Sequence, residues 1–477
     1  MVASFYVQNF GCRATQADGA AIERQFHERG LARADTAQDA DIVVLNTCTV
    51  TASADQDARS TIRRIHRENP DCKIVVTGCY AQRAPEELAA LPGVSRVIGN
   101  SHKHDLAEIV SGKSGFVPMS RLLANDQRRT ATDGVFVSNI FAHTELLAAP
   151  VFDAGRERTR PNLKVQDGCD NRCSFCVIPS VRGQSRSLPL VKILSEVLAL
   201  VASGYREIVI SGINLGRWGK DLASSSQRSA LGQGGLGGDF RERPTTSGQR
   251  PRFEDLIRAI LAETSLEKLR ISSVEPMDWS DDLIRIMADS SRIAKHAHVP
   301  MQSGSDRVLR RMHRKYRPWH YREKIEKIRA AMPAAAIGAD VMVGFPGETD
   351  TEFDETRRLI DELPLTYLHV FTYSPRPGTP AALMPNQVSV NVTRERHQVL
   401  RQLAAEKKLA FMRALVGRRV QAITLNRMQN RPSGDFTEAL TDNFLKMLVP
   451  GRHPANQWVQ AYPEQIADEM LVGRANG

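Results

Sequence analysis

The sequence predicts an α/β protein with a parallel N-terminal sheet, a central series of six strand–helix units and a small C-terminal β-barrel. In the first hundred residues, short β-rich runs alternate with longer helix-like stretches, which is typical of a parallel sheet. The alternation resumes at Pro161, after a segment that has no sustained hydrophobic period. Beyond Arg413 the chain shortens into β-like pieces separated by turn residues, which favours a barrel.

Three strands and three helices are predicted in the N-terminal part. The strands are SFYVQNF from Ser4, DIVVLN from Asp41 and KIVVTG from Lys73. The helical stretches lie near residues 16–30, 53–68 and 84–91. The segment from Gly112 to Arg160 has mixed polarity, so it is interpreted as a linker with room for one hairpin.

Six candidate strands follow in the central part, and one insertion interrupts them. The strands read LKVQ, REIVIS, KLRISSV, KHAHVP, AIGADVMV and YLHVFTYS. Residues 224–250 are rich in Gly, Ser and Gln, which indicates a flexible surface insertion that carries no chemistry. The C-terminal part has four β-like pieces, RRVQAITL, FTEALTD, FLKMLV and QWVQAY.

The composition fits a globular protein of a reducing compartment. The 477 residues are 42% hydrophobic, which is enough for two or three domains. No apolar run approaches the roughly 20 residues of a membrane span, and the N-terminus has no signal-peptide pattern. Seven cysteines, an odd number, favour thiols that act as metal ligands or nucleophiles. The cytoplasm is therefore the expected location.

Two basic runs make nucleic acid a candidate partner. The net charge is +10, and residues 306–329 hold ten Lys or Arg against three Asp or Glu. Residues 393–413 hold six against two. Either run alone is more often a solvated helix face, so the charge is compatible with an acidic partner without requiring one.

The strongest local signal is the CxxxCxxC triplet Cys169, Cys173 and Cys176, which follows a predicted strand. Three thiolates on one loop can each bind an iron of a 4Fe-4S cube, and the fourth iron then has no protein ligand. An open iron can chelate S-adenosylmethionine (SAM) and pass one electron into its sulfonium, which gives a 5′-deoxyadenosyl radical. The alternatives are a zinc site without its fourth ligand and ordinary buried cysteines.

A second, dispersed set consists of Cys12, Cys48 and Cys79. Each of them lies just beyond the end of one of the three N-terminal strands, and in a parallel sheet those ends share one edge. Three thiolates could therefore meet there and hold a second cube, although scattered buried thiols are the alternative. Cys72 precedes its strand and fits neither set.

Three further motifs accompany the cysteines: NTCTVT at 46–51, TGCYAQ at 77–82 and GINLGRWGKD at 212–221. Over nearly the whole chain these features resemble the methylthiotransferase family of radical SAM enzymes. They are most similar to the branch that acts on N6-threonylcarbamoyladenosine in tRNA. The chain departs from that branch at Ala14 and Thr15, which bears on the branch more than on the family.

The resemblance implies the domains and the cofactor contacts. The domains would be a methylthiotransferase domain with the auxiliary cluster at 1–112, a linker at 113–160, a radical SAM domain at 161–412 and an OB-like TRAM domain at 413–477. The central domain would be a partial (βα)6 barrel whose strand C-termini face the cluster and SAM. The implied SAM contacts are Phe175, Ser211, Gly212, Asn214, Ser273, Glu275, Gln302, Asp340, Phe371 and Tyr373. For any one of the polar residues, capping or turn formation is an equal alternative.

The implied reaction inserts a methylthio group at carbon 2 of the adenine in two SAM-dependent steps. The Cys12 set would hold the cluster that carries the sulfur, and the Cys169 set the cluster that cleaves SAM. No proton-handling side chain can be identified. The expected partners are the single-stranded tRNA anticodon loop and an electron donor such as flavodoxin or ferredoxin, and a monomer away from membranes is expected.

Two other functions remain open at this stage. The same chemistry could act on N6-isopentenyladenosine in tRNA or on an aspartate of a ribosomal protein. A non-catalytic iron-sulfur protein that binds RNA or senses redox state is the alternative from another class. That protein would form no 5′-deoxyadenosine on reduction with SAM.

Overall fold

Six parallel strands form a sheet at the N-terminus, in the order β2-β1-β3-β4-β5-β6. The computed structural model describes residues 3–111, 134–143, 159–222, 250–432 and 434–476. The strands predicted from Ser4, Asp41 and Lys73 are confirmed as β1, β3 and β4, and they are neighbours in the sheet. Three strands were not predicted, and one of them, β6, lies in the segment interpreted as a linker.

Helices cover both faces of the N-terminal sheet. Thr51 caps α2, because its side chain accepts a hydrogen bond from the Ala54 amide. The elements are β1 Ser4–Asn9, α1 Arg13–Glu28, β2 Ala32–Arg33, β3 Ile42–Thr47, α2 Ala52–Glu68, β4 Lys73–Gly78, α3 Cys79–Arg83, α4 Pro85–Ala89, β5 Val94–Gly99, α5 Leu106–Ser111 and β6 Val135–Phe136.

The register of the sheet brings three strand ends to one edge. Asn9 of β1 pairs with Asn46 of β3, and Asn46 pairs with Thr77 of β4. The residues that follow these positions therefore leave the sheet side by side, as expected of a parallel sheet.

The central part is a partial barrel of six parallel strands in the order β7-β10-β11-β12-β13-β14. Two three-stranded sheets are joined by parallel bridges from Ser273 to His298 and from Leu269 to Ile293. All six predicted strands are present, so the expected fold is confirmed. The open side is covered by the N-terminal sheet, where Asn162 of β7 donates a hydrogen bond to the Arg13 carbonyl at 2.7 Å.

The helices of the partial barrel pack outside its strands around a large apolar core. The elements are β7 Asn162–Lys164, β8 Gln166–Asp167, α6 Ile178–Arg182, β9 Arg186–Ser187, α7 Leu190–Ala202, β10 Glu207–Ser211, α8 Phe253–Glu263, β11 Lys268–Ile271, α9 Asp281–Asp289, β12 His296–His298, α10 Asp306–Arg311, α11 Pro318–Ala331, β13 Ala336–Val343, α12 Asp350–Glu362, β14 Tyr367–Thr372 and α13 Val390–Arg413. The predicted insertion at 224–250 lies outside the described residues except for Arg250.

A closed five-stranded barrel ends the chain, in the order β15-β16-β17-β19-β18. Its strands are β15 Val420–Arg431, β16 Gly434–Thr441, β17 Lys446–Pro450, β18 Trp458–Ala467 and β19 Met470–Asn476. The last strand was not predicted. This barrel covers the strand starts of the central barrel, because buried Arg270 donates to the Asp442 carbonyl and Phe444 packs on His296. None of the described helices combines the length and the apolar character needed to cross a membrane.

Candidate functional site

The loops that carry Cys12 and Cys48 lie in direct contact. Gly11 has a φ of +88°, and a Cβ atom at this position would come within 2.7 Å of the Cys48 Sγ. Only glycine fits such a close approach with a left-handed backbone. The conformation of Gly11 therefore brings the thiol of Cys12 next to that of Cys48.

Cys79 completes this group as the first residue of helix α3. Burial, and then the nearby thiols of Cys79 and Cys12, raise the pKa of Cys48 to about 12. The side chain of Asn100 approaches the Cys79 Sγ at 3.6 Å. Three thiols grouped in this way are a donor set for a soft cation, which would stabilise the thiolates. The group Cys12, Cys48 and Cys79 is called the first trio below.

Cys169, Cys173 and Cys176, the second trio, lie on one loop after β8. Burial, and then the neighbouring Cys173 and Cys169, raise the pKa of Cys176 to about 12. The Cys169 Sγ accepts a hydrogen bond from the Asn171 amide at 3.4 Å and lies 3.6 Å from the Asn214 amide nitrogen. The three thiols are neighbours on one loop, as a cluster held by three protein ligands requires.

Arg314 contacts the second trio and was not predicted. Its buried guanidinium donates a hydrogen bond to the Cys173 Sγ at 3.2 Å and also pairs with Glu275. A fixed positive charge at a cysteine sulfur stabilises its thiolate form and tunes any bound cluster. The signal for this contact is weak in the sequence, since Arg314 is one of ten cations in the basic run at 306–329.

Both trios lie next to the short helix α6. Cys79 packs against Val177 and Val181, and Val177 directly follows Cys176 in the chain. Asn100, which approaches the Cys79 thiol, also donates to the Val181 carbonyl at 2.8 Å. The fold therefore brings the scaffolds of the two trios next to each other.

A buried ionic network connects the scaffolds of the two trios. Asp18 of α1 accepts hydrogen bonds from Lys103 and Arg182 at 3.0 Å each, and it also pairs with Lys164. Arg182 and Lys164 both bind Asp167, at 3.0 and 2.8 Å. Burial alone would raise the pKa of Asp18, but these cations hold it below its usual range. The network contains three cations and two carboxylates, and the positive charge of Arg182 lies near the thiols of Cys79 and Cys12.

Strand β10 ends at Ser211, and Asn214 in the loop after it lies beside Cys169. The Ser211 hydroxyl and the Asn214 side-chain oxygen are buried and have no hydrogen-bond partner among the described residues. Gly212 lies so close to Gln166 that a Cβ atom would approach its side chain to 2.9 Å. A buried polar atom without a hydrogen-bond partner destabilises the folded protein unless a bound ligand supplies that partner. These atoms therefore fit a polar ligand, such as the amino acid part of SAM.

Phe175 and Tyr373 belong to one aromatic row. Phe345 contacts both rings edge to face, with centroid distances of 6.4 Å to Phe175 and 5.5 Å to Tyr373. Phe345 was not predicted. The row gives the second trio an apolar wall beside the strand ends.

Other predicted contacts lie at or within strands of the partial barrel. Glu275 follows β11, and its carboxylate is bound by Arg314. Ser273 bridges to His298 of β12. Gln302 has a φ of 62°, and its backbone amide and carbonyl bond Asp340 and Met342. That left-handed backbone turns the chain after β12 toward the barrel.

Asp340 lies next to two histidines that the sequence analysis did not single out. The Asp340 carboxylate is 3.3 Å from His298 Nε2, and the ligand atoms of Asp340, His298 and His369 lie within 4.8 Å of one another. Burial, and secondarily His298 and Arg13, lower the pKa of His369, while Asp340 opposes this shift. Phe371, on the same strand as His369, is 47% exposed.

A cavity of about 970 Å³ opens where the N-terminal sheet meets the partial barrel, helix α13 and the C-terminal barrel. Its aromatic lining includes Tyr367, Phe371 and Phe444. Six cations line it against the single carboxylate of Glu469. The cations are Arg13, Arg160, Arg401, Lys408, Arg427 and Lys446. Positive charge combined with aromatic faces suits a single-stranded nucleic acid.

Two family profiles match the chain. Residues 4–99 match an uncharacterized protein family, UPF0004, and residues 163–360 match the radical SAM superfamily. The UPF0004 match contains the first trio together with the strands before its cysteines. The radical SAM match begins just before the second trio and contains it.

Curated relatives match over most of the chain. The threonylcarbamoyladenosine tRNA methylthiotransferase MtaB of Bacillus subtilis is 35% identical over 452 residues, which are 94% of this chain and 91% of that protein. The tRNA-2-methylthio-N(6)-dimethylallyladenosine synthase of Novosphingobium aromaticivorans is 35% identical over 421 residues, 89% and 87% of the two chains. Identity to these two relatives alone does not separate the two substrate names.

Solved structures share the fold. A structure of the radical S-adenosylmethionine methyltransferase TsrM from Kitasatospora setae, with tryptophan and a SAM analogue bound, aligns with a TM-score of 0.54. The alignment covers 80% of this chain and 75% of TsrM at 14% identity. At that identity the likeness concerns the architecture only.

Proposed function

The chain belongs to the family of radical SAM tRNA methylthiotransferases, and from this premise we propose that it inserts a methylthio group at carbon 2 of N6-threonylcarbamoyladenosine next to the tRNA anticodon. The observation that carries the proposal is the position of both thiol trios next to helix α6, where Cys79 packs against Val177 and Val181. Two incompletely ligated clusters close to each other are what a two-step sulfur and radical reaction needs.

The chain's own residues would divide the work between the two trios. The first trio would hold the sulfur-donating cluster, and the second trio the cluster that binds SAM. When bound, these groups supply one-electron chemistry at a carbon whose hydrogen no side-chain base can remove. Ser211 and Asn214 would orient SAM through their unpartnered oxygens, while Phe175 would lie near its adenine.

The cationic cavity supports an anionic nucleotide substrate. Arg13 and Gln16 line it from the helix that begins directly after Cys12, so the cavity reaches toward the first trio. Arg401 and Lys408 come from the second basic run, and Arg427 from the C-terminal barrel. Such cations would bind phosphates of the anticodon loop and the carboxylate of a threonylcarbamoyl group.

The remaining parts of the proposal concern organisation and partners. We propose that residues 1–112, 161–412 and 413–477 act as a methylthiotransferase domain, a radical SAM domain and a TRAM domain, with a linker at 113–160. The protein would act as a monomer in the cytoplasm and receive electrons from a flavodoxin or ferredoxin. N6-isopentenyladenosine is the second candidate substrate, because a relative named for the dimethylallyl substrate is also 35% identical.

Nucleoside analysis tests the substrate directly. In tRNA from a deletion strain, mass spectrometry should find N6-threonylcarbamoyladenosine without its methylthio group, and the gene should restore it. If the methylthio group were lost from isopentenyladenosine instead, the substrate assignment would be wrong.

Cysteine variants test the division of work. With reductant and SAM, Cys12→Ala should still form 5′-deoxyadenosine but no methylthio product, whereas Cys173→Ala should form neither. Cys72→Ala is the matched control, because Cys72 is buried but lies outside both trios, and it should keep both activities. Methylthio product from Cys12→Ala would reject the sulfur-donor role of the first trio.

A further inference from the structure

The second trio comes closest to the protein surface at Cys173. A narrow cleft of about 20 Å³ opens beside this residue. A cleft of this size holds about one water molecule, so it is too small to admit a nucleotide base. The cleft is therefore a place where little protein separates the second trio from solvent, and it is not a route for the substrate.

Exposed cations surround this cleft. Arg172, Lys220 and Lys315 are exposed, and none of them forms an ion pair with a described residue. The acids nearby are already neutralised, because Arg217 binds Asp278 at 2.7 Å and Arg314 binds Glu275. Burial, and then Arg217 and Lys315, lower the pKa of Lys220, while Asp278 and Glu254 oppose this shift.

Two exposed apolar side chains complete the surface. Met277 is 46% exposed and lines the cleft, and Trp319 is 56% exposed. They belong to the 3-10 turn Pro276–Asp278 and to helix α11, and these two elements contact each other. Methionine and tryptophan ringed by charge are typical of the centre of a protein interface. Arg172, Lys220, Met277, Lys315 and Trp319 are called the Cys173 face below.

We infer that the Cys173 face is the docking surface for a small, acidic electron-transfer protein. The inference rests on the proposed function, in which SAM cleavage consumes one electron that the enzyme must receive from outside. The donor would be oxidised by one electron and the cluster held by the second trio reduced by one, with no bond made or broken at the interface. Arg314 would stabilise the added negative charge through its hydrogen bond to Cys173.

The location favours a protein donor over RNA. The cations suited to a nucleotide lie in the large cavity on the other side of the second trio's scaffold, where α13 and the C-terminal barrel meet. The Cys173 face lacks such a cavity and instead offers a shallow apolar centre with a basic rim. Charge complementarity to an acidic partner would speed the encounter of the two proteins.

Charge reversal tests the surface in the holoenzyme with both clusters. Lys220→Glu and Lys315→Glu, singly and together, are compared using a reduced acidic flavodoxin or dithionite as the electron source. In the double variant, the rate of 5′-deoxyadenosine formation with flavodoxin should fall roughly tenfold or more, and less at high salt. The affinity for flavodoxin, measured by surface plasmon resonance, should fall in parallel, and the rate with dithionite should stay unchanged.

The control and the contrary results separate the possibilities. Lys73→Glu makes the same charge change at an exposed position on the opposite edge of the N-terminal sheet and should alter neither rate. Unchanged flavodoxin affinity in the double variant would overturn the inference, whether or not tRNA affinity is lost instead. So would a rate of 5′-deoxyadenosine formation that falls as much with dithionite as with flavodoxin. If the unmodified enzyme formed no 5′-deoxyadenosine even with dithionite, the proposed function itself would have failed.

Discussion

At the scale of single residues, Asp18 joins parts of the chain that lie far apart in sequence. It lies six residues after Cys12 and binds Lys103, Lys164 and Arg182 in a region closed to solvent. Arg182 in turn lies six residues after Cys176, so one carboxylate joins the supports of both trios. A buried charge of this kind contributes less to net stability than to fixing the geometry of its partners.

Replacing Asp18 should therefore be costly. Asp18→Asn leaves three buried cations with Asp167 as their only carboxylate, and we expect the free energy of unfolding to fall by about 3–5 kcal/mol. Anaerobic urea unfolding of the cluster-free chain would measure this loss. Asp354→Asn is the control, because Asp354 forms only an exposed pair with Arg357, and it should cost less than about 1 kcal/mol. Equal losses would contradict the role assigned to the network.

At the scale of elements, short helices and their first turns hold the strand ends in place. Helix α12 begins with a capping box, in which Thr349 accepts from the Glu352 amide and Glu352 accepts from the Thr349 amide. Thr356 of the same helix accepts from the Gly304 amide at 2.9 Å, so α12 supports the loop that follows Gln302.

The capping box predicts a difference between two neighbouring threonines. Thr349→Ala removes the cap and should lower the free energy of unfolding by about 1 kcal/mol. Thr351→Ala, two residues later on the exposed face of the same helix, removes no cap and should be neutral or slightly stabilising. Circular dichroism during urea unfolding compares the two variants, and the same loss in both would refute the role of the cap.

At the scale of the whole molecule, three parts of the chain build the cationic cavity together. Arg13 comes from the N-terminal part, Arg401 from the long helix α13 and Arg427 from the C-terminal barrel. No single domain would present this density of positive charge. Binding of tRNA should therefore depend on all three parts being folded and assembled.

The cavity predicts a steep salt dependence of tRNA binding. Each phosphate contact contributes a slope of about 0.7–0.9 to the plot of log affinity against log salt. Arg401→Ala and Arg427→Ala should each weaken binding and lower that slope by about one contact, whereas Lys73→Ala should change neither. Filter binding from low to moderate salt measures the slopes, and a flat response in the unmodified protein would exclude this cavity as the tRNA site.

The sequence by itself determined the strand framework and the two cysteine sets. Runs such as DIVVLN and KIVVTG are short and apolar, and each is followed by a stretch with helical periodicity, so they are predicted to be parallel strands. The sequence was enough to predict that Cys48 and Cys79 lie at one edge of the sheet, because the strands of a parallel sheet all end at the same edge. The three cysteines of the second trio lie close together in the sequence, so this set can also be recognised without knowledge of the fold. Strands as short as β2 and β6 carry too few residues to show a period.

Only the tertiary structure decided which distant polar side chains meet. Asp18 and Lys164 are 146 residues apart and their contact is buried, and Arg314 reaches the partly buried Cys173 across 141 residues. Lys, Arg and Asp have no periodic signature, because their partners are set by how sheet, barrel and helices pack. The cationic cavity and the Cys173 face arise in the same way, since hydrophobic pattern fixes each element's buried side while packing fixes which surfaces become neighbours.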